Sequence, residues 1–87
     1  VNVYAVILNE PNEAAWQKVK AKWPDRTNFI LTDRIAFIAT EELTITNDVA
    51  EAVGVSKEGG ISGVVFDASR LAGWNDSGLV EWLGKVS

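Results

Sequence analysis

The chain has no cysteine, no histidine and no methionine. These absences exclude disulfide staples, thiol nucleophiles, Cys/His zinc or haem ligation and any imidazole base. Cationic side chains are scarce too: 8 Lys and Arg stand against 12 Asp and Glu, a formal net charge of −4. Bulk electrostatic attraction to nucleic acid is therefore disfavoured, although a local basic patch could still serve. Long apolar runs are also missing. The run near the start, Val3 to Leu8, falls far short of the roughly 20 residues that span a bilayer. No basic segment precedes it, so neither a membrane anchor nor a signal peptide is expected there. The lack of cysteine is compatible with a cytoplasmic protein, which is the location expected.

What is present is enough for a core. Of 87 residues, 47% are hydrophobic and 23% charged, too apolar for a disordered chain. No repeat, linker or low-complexity segment divides it, so residues 1–87 are expected to form one domain.

Residues 1–8, VNVYAVIL, read as a strand that is apolar on both faces. Val1, Val3, Ala5 and Ile7 make one face; Tyr4, Val6 and Leu8 make the other. Such a strand belongs in the centre of a sheet covered on both sides. Asn9 is the expected helix cap, with Pro11 in the first turn and Glu10 and Glu13 near the positive end of the helix dipole. Ala15, Trp16, Val19 and Trp23 then recur at helical spacing, and Pro24 ends the helix. Thr27–Thr32 and Ile35–Thr40 read as a hairpin around Asp33-Arg34, the second of them again apolar on both faces. A second helix is capped at Thr46 or Asn47, carries Ile45, Val49, Ala52 and Val53 on its buried stripe, and stops at Gly54. Ile61–Ala68 is the fourth strand, and a short last helix is capped by Ser77, carries Val80, Trp82 and Leu83 on its apolar side and is ended by Gly84.

The order β-α-β-β-α-β plus a terminal helix predicts an α+β fold of the ferredoxin-like type, a four-stranded antiparallel sheet. Right-handed crossovers then put the first and third strands in the centre. The two internal helices cover one face. The other face needs the terminal helix, a second copy of the chain or a partner.

Most chemical motifs have a plain structural reading beside them. Ser56-Lys57 is the one Ser-Lys pair, but adjacent residues in a glycine-rich loop rarely face each other. Glu41, Glu42, Asp67 and Asp76 could offer oxygens to a divalent cation, yet no spacing matches a known oxygen-ligand loop, and solvated ends are the expectation. Gly59-Gly60-Ile61-Ser62-Gly63 precedes a strand rather than a helix, so a turn is expected and not a phosphate cradle. Lys18, Lys20 and Lys22 form the candidate nucleic-acid contact, weighed against a solvated helix face.

The four tryptophans stand out. Trp16 and Trp23 lie on the expected core stripe. Trp74 fits an interface and a core equally. Trp82 is expected to pack the last helix onto the sheet, within the chain or across a dimer. Trp74, Trp82 and Tyr4 are the candidate interface residues. No catalytic residue, metal ligand or cofactor is assigned.

Val64-Val65-Phe66-Asp67, Gly73-Trp74-Asn75-Asp76-Ser77 and Glu81-Trp82-Leu83 together resemble the tail of certain small uncharacterised bacterial proteins with a ferredoxin-like core, related to the CRISPR adaptation nuclease family. Tyr4 to Leu8 followed by Asn9-Glu10-Pro11 is similar to their first strand and turn. The resemblance implies dimerisation through the open sheet face or a sheet edge, and a setting in bacterial or mobile genetic elements. The nucleases hold a divalent metal on an Asp after that strand. Here Asn9 stands in the matching region, without the charge a hard cation needs, so nuclease activity is not implied.

The leading expectation is a non-enzymatic protein acting by association, as a homodimer or accessory binding module. The alternatives are a metal-dependent nuclease-like or nucleic-acid-binding protein using Glu10 and Lys18, Lys20 and Lys22, and a small-ligand pocket lined by Trp16 and Phe37.

Overall fold

The computed structural model describes residues 2–41, 46–70, 73–74 and 77–86. Four strands and three helices are found among them: β1 (Asn2–Leu8), α1 (Glu13–Lys22), β2 (Asn28–Ile30), β3 (Ile35–Thr40), α2 (Thr46–Val53), β4 (Gly63–Asp67) and α3 (Leu79–Val86). A short 3-10 turn, Asp25–Thr27, joins α1 to β2. The strands make one antiparallel sheet in the order β2-β3-β1-β4. No helix among the described residues is long and apolar enough to cross a membrane.

Alternation along β1 divides the core in two. Tyr4, Val6 and Leu8 point to one face, where Ala15, Trp16, Val19 and Trp23 of α1 and its end, and Val49 and Val53 of α2, complete the larger cluster. Val3 and Ala5 point to the other face, where they meet Ala39, Ala68 and the α3 residues Leu79 and Trp82. The small side chains Ala5 and Ala39 are nearly inaccessible, so α3 sits close to the sheet. The second face therefore has an intramolecular cover. Trp82 anchors it: its indole N–H donates to the Arg26 carbonyl at 2.6 Å, and its ring lies 5.7 Å from that of Phe29. Both contacts lie on the β2 side of the sheet.

Several local expectations are corrected. The cap of α1 is Asn12, whose Oδ1 accepts from the Ala15 N–H at 3.1 Å. Asn9 is not free for that task. Its backbone N–H extends the β1–β4 ladder to the Ser62 carbonyl, and its side-chain amide donates to Ser62 Oγ at 2.7 Å. β2 is shorter than the expected Thr27–Thr32, because Thr27 is held in the preceding turn by the Pro24 carbonyl, 2.7 Å from its hydroxyl. β4 starts not at Ile61 but at Gly63, where an added Cβ would lie 2.5 Å from the Ile7 carbonyl oxygen. α3 runs through Gly84 to Val86 because its apolar side is fixed by packing, which outweighs the mid-helix glycine cost of roughly 1 kcal/mol. Val1 of the first strand, Ile45 of the expected α2 stripe, and Glu42 and Asp76 of the carboxylate set lie outside the described residues.

Tyr4 carries a pH prediction. Burial raises its phenol above the ordinary value, and Asp67, directly opposite on β4, and then Asp48 push the same way. The folded state thus favours the neutral phenol. Its stabilising contribution is complete below the unfolded value of about 10 and is lost as pH rises through the folded value. Tyr4 is the only tyrosine, so tyrosinate absorbance reads it alone. Ionisation in the folded chain is expected above the ordinary tyrosine value, and a titration at or below that value in an intact fold contradicts this.

Candidate functional site: the uncovered flank of the sheet

Because α3 is anchored toward β2, one corner of its sheet face is left uncovered by it, with Val64 and Phe66 exposed there among the described residues. The register places Ile35, Ile7 and Val64 side by side across β3, β1 and β4, with Phe66 one step along, opposite Ala5. Ile7 and Ile35 are half-buried, while Val64 and Phe66 are 57% and 46% exposed. Trp74, in the connection from β4 to α3, is 85% exposed. Exposed apolar residues that are contiguous, rather than scattered, are the ones that call for an explanation.

The predicted interface residues divide. Trp74 is presented to solvent. Tyr4 and Trp82 are packed inside the chain, 3% and 8% exposed, on opposite faces of the sheet. Their large apolar bodies are used by the two cores and are not available to a partner. Val64 and Phe66 were not singled out from the sequence. The signal for them was present: Val64-Val65-Phe66 is apolar on both faces in a strand that the topology puts at an edge.

Lys18, Lys20 and Lys22 are all exposed on α1, and Lys18 reaches over Gly54 into a groove it shares with the carboxylates Glu51 and Glu58. Trp16 belongs to the helix-side core and Phe37 to the α3-side cluster, so the sheet separates them and they cannot line one pocket. The indole N–H of Trp16 donates to the Asp33 carbonyl at 2.7 Å, fixing α1 to the β2–β3 turn. Ser56 is a loop organiser: its Oγ accepts from the Gly59 N–H and its carbonyl from the Gly60 N–H, both at 2.9 Å. Gly59 lies so close to the Gly54 backbone that a Cβ would meet the Gly54 oxygen at 2.3 Å, which accounts for that glycine as packing. Among the described residues, no three acidic side chains come together as a metal-binding group. Glu10 is exposed beside Asn9, whose amide is committed to Ser62.

No family model matches the chain, and no curated protein shows significant similarity to it.

Proposed function

We propose that the chain is a small protein of ferredoxin-like topology that works by association rather than catalysis, with the bare flank of β4 as its contact surface. The supporting observation is the pair Val64 and Phe66, exposed on the same face and continuous with Ile7 and Ile35. The strand order β2-β3-β1-β4, with helices between β1 and β2 and between β3 and β4, supports the topology. The expected cytoplasmic setting in bacterial or mobile genetic elements belongs to this proposal. The nuclease-like alternative gains no support from a helix whose Lys18 sits beside Glu51 and Glu58, or from Glu10, which joins no metal-binding cluster among the described residues.

Sedimentation velocity over a range of concentrations tests the reading. The wild-type chain should pass from one copy to two as concentration rises. The double variant Val64→Ser/Phe66→Ser removes apolar surface that is already half exposed, so it should melt within a few degrees of wild type yet remain monomeric. Unchanged association in that variant would remove the flank from the account.

A further inference from the structure

The backbone of β4 narrows the choice of partner. The Ala68 N–H donates to the Val3 carbonyl at 2.7 Å, and the Asn9 N–H donates to the Ser62 carbonyl at 2.9 Å. The register between these points has no slip: Tyr4–Asp67, Ala5–Phe66, Val6–Val65, Ile7–Val64 and Leu8–Gly63. In an antiparallel ladder, hydrogen-bonded and non-hydrogen-bonded pairs alternate. Residues 62, 64, 66 and 68 therefore turn their backbone groups toward β1. Gly63, Val65 and Asp67 turn theirs outward, to an edge that no strand among the described residues pairs with.

Edge strands are usually guarded by a bulge, a proline or a lysine. β4 has none of these over Gly63–Asp67. The opposite edge, β2, is only three residues long and follows directly on a 3-10 turn. The two edges are thus unequal, and β4 is the open one.

We propose that a second copy of the chain occupies this edge, with β4 pairing antiparallel to β4 about a two-fold axis through Val65. This rests on the association reading and names its partner. In that register Val65 meets Val65 of the other copy, and Gly63 meets Asp67, so every outward N–H and C=O of the three residues has a partner. On the α3 face, Phe66 of each copy falls opposite Val64 of the other. The two exposed apolar residues of β4 thereby become cross-strand pairs, the arrangement that stabilises a sheet side by side. The charges agree with the same register. Asp67 faces Gly63 of the other copy, not a second carboxylate, and Gly63 shares its groove with the exposed Lys57. The Ser69 N–H and hydroxyl both donate to Asp67 and hold its carboxyl below the usual carboxylate range. A one-residue shift of register would lose the outward pairing altogether, because the even-numbered groups are already used by β1.

Val65→Pro isolates the edge. It deletes an outward N–H where proline is tolerated on an edge strand, and it exchanges one apolar side chain for another at a position half-buried against the helix-side cluster. The variant should keep wild-type circular dichroism, while its dimer dissociation constant rises about tenfold or more, since two hydrogen bonds per dimer are lost. Lys57→Glu, at an exposed loop position, should also weaken the dimer, and more so at low salt. Amide exchange gives an independent readout: the Val65 amide should slow with rising protein concentration, while that of Phe66, bonded to β1, should be slow throughout. Wild-type association by a Val65→Pro chain of native structure overturns the edge pairing. If Val64→Ser/Phe66→Ser is then monomeric, the flank still associates, and only the strand register is wrong. A wild-type chain that stays monomeric at all concentrations overturns the dimer itself.

Discussion

Trp82→Ala should cost about 3–5 kcal/mol, the range for truncating a buried tryptophan. The indole is 8% exposed, packs on Phe29 and supplies the bond from α3 to the Arg26 carbonyl. Its loss removes apolar area and leaves that carbonyl without its indole donor. For a chain of this size such a loss lowers the melting temperature by roughly 15 °C or more. It is also a large share of the total, since small domains hold only about 5–15 kcal/mol in all. The defect should be local at first. The helix-side core contains none of the residues that Trp82 touches, so α3 amides should lose exchange protection before those of β1 and α1. Trp82→Phe keeps a ring and deletes the indole donor, and should cost less, about 1–3 kcal/mol. A drop of only a few degrees in Trp82→Ala, with α3 protection intact, would show that α3 does not depend on this anchor.

Trp16→Ala should be equally costly, about 3–5 kcal/mol, but different in kind. Trp16 is 3% exposed in the cluster formed by Tyr4, Val6, Leu8, Val19, Val49 and Val53. That cluster joins both internal helices to the two central strands. Removing the ring should lower every probe of structure together, far-ultraviolet dichroism and tryptophan emission alike. Trp16→Phe again separates packing from the hydrogen bond to the Asp33 carbonyl. Melting curves for the four variants, with exchange mapped by residue, check both predictions. If Trp16→Ala released α1 alone while the sheet persisted, the helix-side cluster would not be the main core.

How much of this was legible depends on whether local pattern or tertiary packing decides the point. β3 is Ile35–Thr40 in sequence and in structure, because β-rich residues between a tight turn and a polar stretch leave little choice. The two-faced character of β1 and β3 was visible in Val3 to Leu8 and in Phe37-Ile38, and both strands are central. The α1 stripe was visible in Ala15, Trp16 and Val19. Caps and ends were less so. Asn9 and Asn12 are both good cap residues, and only the ladder contact to Ser62 decides between them. Gly84 resembles a helix stop until Leu83 and Val86 are seen to pack beyond it.

The candidate site was harder still. Tryptophan and tyrosine suit cores and interfaces alike, and nothing in the sequence says which of Tyr4, Trp74 and Trp82 is already occupied. Trp82 finds its partner 56 positions away, at Arg26. The exposure of Val64 and Phe66 follows from where α3 is tied down, a long-range fact that no local pattern contains.

Sedimentation of the unmodified chain is the most direct test of whether the flank left bare by α3 is a surface for a second copy. The account predicts a mass that climbs from the 9.5 kDa of one chain toward twice that value as concentration increases. A constant single-chain mass up to the solubility limit would contradict it.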